Sequence, residues 1–207
     1  YKLKHSFFFN TGETYQDRIG NSETGRLGVV LFPRDSPPII NSDGLNLVAA
    51  NSQHARLTNV YLGGSMTFAV WVRVDSSGNN TRPFDFRNSN IVDHNQSLMI
   101  EIDNNKWIGH QSPSNLTLAN LSVGSGASTN TVSVNNWQHV VYVIDSGTNN
   151  THKIYVDNVE IESQSISYFP SSVVRHINWI GSSGSAYLDG KIKSFNIWER
   201  ALNATEI

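Results

Sequence analysis

Apolar and polar residues alternate in short runs along most of the chain, with a period of two rather than 3.6. The run MTFAVWVRV, residues 66–74, shows the pattern most fully. Met66, Phe68, Val70, Val72 and Val74 fall on one face of an extended strand. Ala69 and Trp71 fall on the other, so both faces read as largely covered. Similar runs predict strands at 26–32, 45–49, 54–57, 97–102, 106–111, 131–134, 137–144, 153–156, 159–161, 177–180, 186–188 and 191–198. Asn/Ser/Gly clusters separate the runs, which is the signature of a sandwich or barrel. The fold class is therefore all-β.

Turn chemistry assigns three hairpins. Asp189-Gly190 and Asp157-Asn158 each supply residues that tolerate the positive φ angles of a two-residue turn. Asn104-Asn105 supplies the third. In that hairpin Asp103 pairs with Lys106, Glu101 with Ile108, and Met99 with His110. Leu98, Ile100, Ile102 and Trp107 then share a wholly apolar face that belongs to the core. Met99, Glu101, Asp103, Lys106, Ile108 and His110 occupy the opposite face.

Composition narrows the classes. A chain of 207 residues is expected to form one domain, and it can bury a core without staples, so the absence of Cys costs it nothing. It begins at Tyr1 and stops at Ile207 inside a polar motif, so it reads as a piece of a longer protein. The net charge of −2 and the dispersed Lys and Arg give no footprint for nucleic acid. No apolar run approaches the ~20 residues of a membrane-spanning helix, so no membrane insertion is expected.

The motifs, taken in order, carry a resemblance. NNWQHVVYVID, HKIYVDNVEI, INWIGSS and YLDGKIKSFNIWERALNATEI follow one another in the C-terminal half. GSMTFAVWVRV and a shorter PFDFRN precede them. The set resembles the laminin-G-like and pentraxin-like jelly rolls of the concanavalin A-like lectin/glucanase group. Asn158 replaces the usual hairpin Gly, and Lys193 stands where the pattern has Asp. The resemblance implies a two-sheet antiparallel β-sandwich.

Glu101-Ile102-Asp103 resembles the opening of the catalytic strand of β-glucanases, in which a second Glu follows two residues later. Asn105 stands at that position. A retaining glycosidase needs two carboxyl groups about 5 Å apart, and Asn105 can neither donate nor accept the catalytic proton. No catalytic residue is assigned.

His139 alternates with Trp137, Val141 and Val143 and reads as a hydrogen-bonded core histidine. Trp71, Trp107, Trp137 and Trp198 sit among apolar neighbours and read as core. Trp179 reads as core too, with stacking on a sugar ring as its alternative. The resemblance also implies calcium at a sandwich rim, for which Asp93 and Asn95 are the nearest candidates. N-glycosylation sequons stand at Asn79, Asn95, Asn115, Asn120, Asn149 and Asn203. Asn203 also heads a capping pattern, with Glu206 reaching back.

These features predict a non-catalytic recognition or adhesion domain of a secreted or cell-surface protein, binding glycan or a glycoprotein. The expected ligand-binding residues are Glu101, Asp103, Lys106 and His110, or the rim at 75–87 and 93–95. The alternative is a structural module in an extracellular fibre, coat or adhesive assembly, with neighbouring subunits as partners. A glycoside hydrolase relative is the third reading.

Overall fold

The structure, a computed structural model, describes residues 3–9, 29–76, 78–88, 97–111, 121–126, 130–147 and 149–207. In chain order the strands are β1 (Leu3–Phe8), β2 (Val29–Phe32), β3 (Ile39–Asn41), β4 (Gly44–Leu47), β5 (His54–Leu57), β6 (Val60–Leu62), β7 (Met66–Ser76), β8 (Thr81–Arg87) and β9 (Leu98–Asp103). They continue as β10 (Lys106–Gln111), β11 (Leu121–Val123), β12 (Trp137–Asp145), β13 (Thr151–Val156), β14 (Val159–Ser165), β15 (Val173–Arg175), β16 (Ile177–Ile180) and β17 (Asp189–Trp198).

Two antiparallel sheets stack. The first runs β14-β13-β12-β7-β17-β4-β3, and β1 also pairs with β17. The second runs β11-β10-β9-β8-β16-β5-β2, and β15 pairs with β6 apart from both. The inward faces follow the predicted alternation. Met66, Phe68, Val70, Val72 and Val74 of β7 meet Phe84, Phe86, Leu98, Ile100, Ile102 and Trp107 of the second sheet in one core. Aromatic rings fill its centre: Phe68 and Phe84 stack with centroids 4.9 Å apart, and Phe195 packs on both Phe84 and Phe86.

The Asn104-Asn105 hairpin forms with the predicted register, both residues at positive φ. Asp157-Asn158 turns in the same way. Asp189-Gly190 does not form a turn. Both residues belong to β17, where a bulge sets Asp189 opposite Ser76 and Gly190 opposite Val74. Gly is needed there because a Cβ would lie 2.1 Å from the Arg73 carbonyl oxygen. The segment 131–134 is not a strand either. Its Val132 N–H donates to the Asn105 carbonyl at the tip of the β9–β10 hairpin, 2.9 Å away, and Asn135 at positive φ ends the segment. Of the predicted strand at 26–32, Val29–Phe32 is β2, and 26–28 lie outside the described residues. Strands β1, β3, β6, β8, β11 and β15 were not predicted, and the strand predicted at 186–188 is reduced to an isolated bridge between Tyr187 and Ser182.

The C-terminal segment covers one end of the first sheet's outer face. Trp198, Ala201 and Ile207 pack on Ala69, Val141, Val143 and Tyr155. Thr67 fixes the segment: its hydroxyl donates to the Arg200 carbonyl at 2.8 Å and accepts from the Leu202 N–H at 3.0 Å. The segment closes on a capped turn rather than a helix. Asn203 Oδ1 accepts the Thr205 N–H, and the Glu206 carboxylate accepts the Asn203 N–H, both at 3.0 Å.

Candidate functional site

The other end of that outer face is open. Register places Trp71 of β7 opposite His139 of β12 and opposite Ser194 of β17. Arg73 lies one step along, opposite Trp137. The Trp71 and His139 rings stack with centroids 5.1 Å apart and planes 19° from parallel, and Trp71 remains 41% exposed. Trp71, Trp137, His139, Lys193, Ser194 and Asn196 line an open pocket of about 470 Å³.

Each wall is held in place. The Asp157 carboxylate accepts the His139 N–H at 2.8 Å, and the Asp157 N–H returns to the His139 carbonyl at 2.8 Å. Burial lowers the His139 pKa, against smaller opposing effects from the Asn158 side chain and the Asp157 charge, so the imidazole is neutral at pH 7. The Ser6 hydroxyl donates to Asn196 Oδ1 at 2.6 Å, tying β1 to the pocket floor. Arg73 makes a two-point ion pair with Asp75 at 2.7 and 3.0 Å.

Trp71 and His139 are therefore not core residues, as their strand patterns suggested, and Trp137 is only half-buried. The alternation was right, but the face it marks is the outer one. A signal was present: Trp71 shares its face with Thr67, Ala69 and Arg73, while the opposite face of β7 is apolar from Met66 to Val74. Trp107 is fully buried, and its indole N–H donates to Gln138 Oε1 at 3.1 Å.

The residues expected to bind ligand lie on the second sheet, and their surroundings are mostly closed. Glu101 is buried, with Arg82 Nε 2.8 Å from one carboxylate oxygen. His110 Nε2 is 3.0 Å from the other oxygen, in ion-pair range but off the hydrogen-bond angle. Burial raises the Glu101 pKa, but His110 and Arg82 outweigh it and hold the group at about 2. Arg82 also reaches Asp85, which is fully buried and accepts two further bonds from Arg87 at 2.9 and 2.5 Å. Met99 and Ile108 beside them are buried too. Asp103 accepts from the Asn104 amide at 2.9 Å, and Lys106 donates to the Ser125 carbonyl at 2.7 Å, both at the hairpin end. Glu101 and Asp85 are thus both engaged by guanidinium groups, and Asn105 sits in the turn.

Trp179 lies on this same face, opposite Arg56 and Asp85 in register. The Arg56 and Arg87 guanidinium groups lie 5.7 and 5.3 Å from its ring. Asp93, Asn95, Asn115 and Asn120 lie outside the described residues. Asn79, Asn149 and Asn203 are exposed. Among the described residues no three His, Cys, Asp or Glu side chains gather as a metal site. Nor, among the described residues, is any helix long and apolar enough to cross a membrane.

Residues 49–207 match the family described as the concanavalin A-like lectin/glucanases superfamily, and the chain belongs to it. Solved structures share the fold at low identity. Domain 4 of AbnA, an extracellular arabinanase of Geobacillus stearothermophilus, solved with arabinotriose, aligns over 99% of this chain and 96% of that one, at 17% identity and a TM-score of 0.66. The binding domain of botulinum neurotoxin serotype D aligns over 99% of this chain and 50% of that one, at 16% identity and 0.68. A carbohydrate-binding module of a Ruminococcus gnavus sialidase, bound to sialyllactose, aligns over 69% of this chain and 80% of that one, at 12% and 0.57. No curated protein sequence matches the chain.

Proposed function

We propose that this chain is a non-catalytic glycan-binding module of a secreted or cell-surface protein, and that its site is the pocket at Trp71. The carrying observation is the exposed Trp71 ring, held flat against His139 in an open pocket that polar side chains flank. A sugar presents a C–H face to such a ring and hydroxyls to flanking polar groups, here Ser194 and Asn196. A rigid, prestacked ring loses little entropy on binding. The arabinotriose and sialyllactose seen with two structural neighbours support the reading. The test is a glycan array followed by calorimetry on wild type and Trp71→Ala. Binding lost in the variant supports the reading, and a wild type that binds nothing on a broad array ends it.

A second reading, a structural module in an extracellular assembly, is favoured by one other feature. Tyr61 and Val174 face each other across β6 and β15, and both are exposed. A neighbouring subunit covering that pair is its expected mark.

A further inference from the structure

We infer that the Trp71 pocket selects a saccharide bearing a negative charge, and that the Lys193 ammonium is the group that recognises it. The inference rests on the glycan-binding reading and names the chemistry of its ligand.

Lys193 reaches the pocket through a β-bulge. In the pairing of β17 with β7, Ile192 lies opposite Val72 and Ser194 opposite Trp71, which leaves Lys193 as the extra residue. A bulge of this kind re-aims a side chain and locally increases twist. It sits where the other neighbour of β17 changes. Strand β4 pairs up to Ile192, and β1 pairs from Ser194 onward.

The backbone of the bulge is gripped from both neighbours. The Phe9 N–H donates to the Lys193 carbonyl at 3.0 Å. Gly44, at φ +123°, packs so closely that a Cβ there would lie 2.5 Å from the Ile192 oxygen and 3.0 Å from Lys193 Cα. Three strands therefore fix the root of one exposed lysine at the pocket wall.

The charge pattern gives the specificity. Other cations of this sheet are matched: Arg73 by Asp75, Lys191 by Asp43, Lys153 by Glu160. Among the described residues no carboxylate lies within ion-pair distance of Lys193. Asp43 is bonded to Lys191 instead, at 3.0 Å. The lining itself contains no acid. The hydroxyls of a neutral sugar would replace only the hydrogen bonds that water gives the ammonium, whereas an anionic group would also match its charge. Lysine acts here as a point charge, so carboxylate and sulfate share the required chemistry.

The experiment measures binding of matched oligosaccharide pairs at low and high salt. One pair is an oligogalacturonate and its carboxyl-reduced form, and the other is a sulfated oligosaccharide and its desulfated form. Wild type should bind the charged member of at least one pair about two- to fivefold more tightly at low salt, as an exposed ion pair allows, with the difference shrinking in high salt. The pair that shows it tells carboxylate from sulfate. Lys193→Gln should erase the preference for the charged member of the pair, while Lys193→Arg should keep it. Equal binding within both pairs, or a preference that persists in Lys193→Gln, overturns the inference. If wild type binds neither charged nor neutral saccharides, the glycan-binding reading itself has failed.

Discussion

Trp71 and His139 face each other across neighbouring strands, and their stacked rings form an aromatic platform at the open end of the first sheet's described outer face. The platform exists because the C-terminal segment covers the Val141–Val143 end and stops short of it. Trp71→Ala is therefore expected to weaken glycan binding by about 30-fold, the ~2 kcal/mol of a central aromatic anchor. Since the ring is partly exposed, unfolding should move by only about 1 kcal/mol. Calorimetry with thermal melts separates the two effects. Unchanged affinity would move the site elsewhere.

Gly44→Ala probes the geometry behind Lys193. The added Cβ has no room against the β17 backbone, and φ +123° suits no L side chain. A loss of about 1–3 kcal/mol in stability is expected, together with a disturbed pocket. A variant as stable as wild type in urea would show that the bulge is soft.

Asp85 holds two arginines on the opposite sheet. Its removal in Asp85→Ala leaves Arg82 with Glu101 alone and Arg87 buried without a carboxylate among the described residues. Breaking a buried ion pair from one side costs about 3–5 kcal/mol. Chemical denaturation should register that loss without a change in glycan specificity, because the network lies on the other sheet.

Acid should destabilise the protein in two windows. His152 is buried beside Tyr142, whose hydroxyl lies 3.2 Å from its Nδ1. Burial holds the His152 pKa at about 4, below its ordinary 6.5. The unfolded chain thus binds more protons between those values, so stability is full above pH 6.5 and falls as pH drops towards 4. Glu101, at about 2 against an ordinary 4.5, adds a second loss as pH falls from 4.5 to 2. His152→Gln should flatten the first window, on the order of 2 kcal/mol, in melts taken from pH 7 to pH 4. An unaltered slope would assign the acid sensitivity to another group.

Arg175 is fully buried, and among the described residues none of its guanidinium nitrogens has a partner. Burial lowers its pKa to about 9, which still leaves it charged at pH 7. An uncompensated buried charge is unfavourable, so Arg175→Met is expected to raise unfolding stability by about 1–3 kcal/mol. A drop in melting temperature would mean that the guanidinium makes interactions this structure lacks.

The sequence by itself determined the period of the strands, the two sheets they form, and two of the three proposed hairpins. Alternation is a local property, and Asn104-Asn105 and Asp157-Asn158 carry their turn geometry in their own side chains. It did not determine the role of Asp189-Gly190, because the same two residues serve a turn or a bulge, and the Arg73 carbonyl crossing over Gly190 decided between them. Nor did it say which face of β12 turns inward, since His139 alternates with valines that a distant C-terminal segment covers. Only the tertiary structure decided that Glu101 is closed in by Arg82 and His110 while Trp71 is left open, because burial depends on what packs across the sheet and not on the residue's neighbours in the chain.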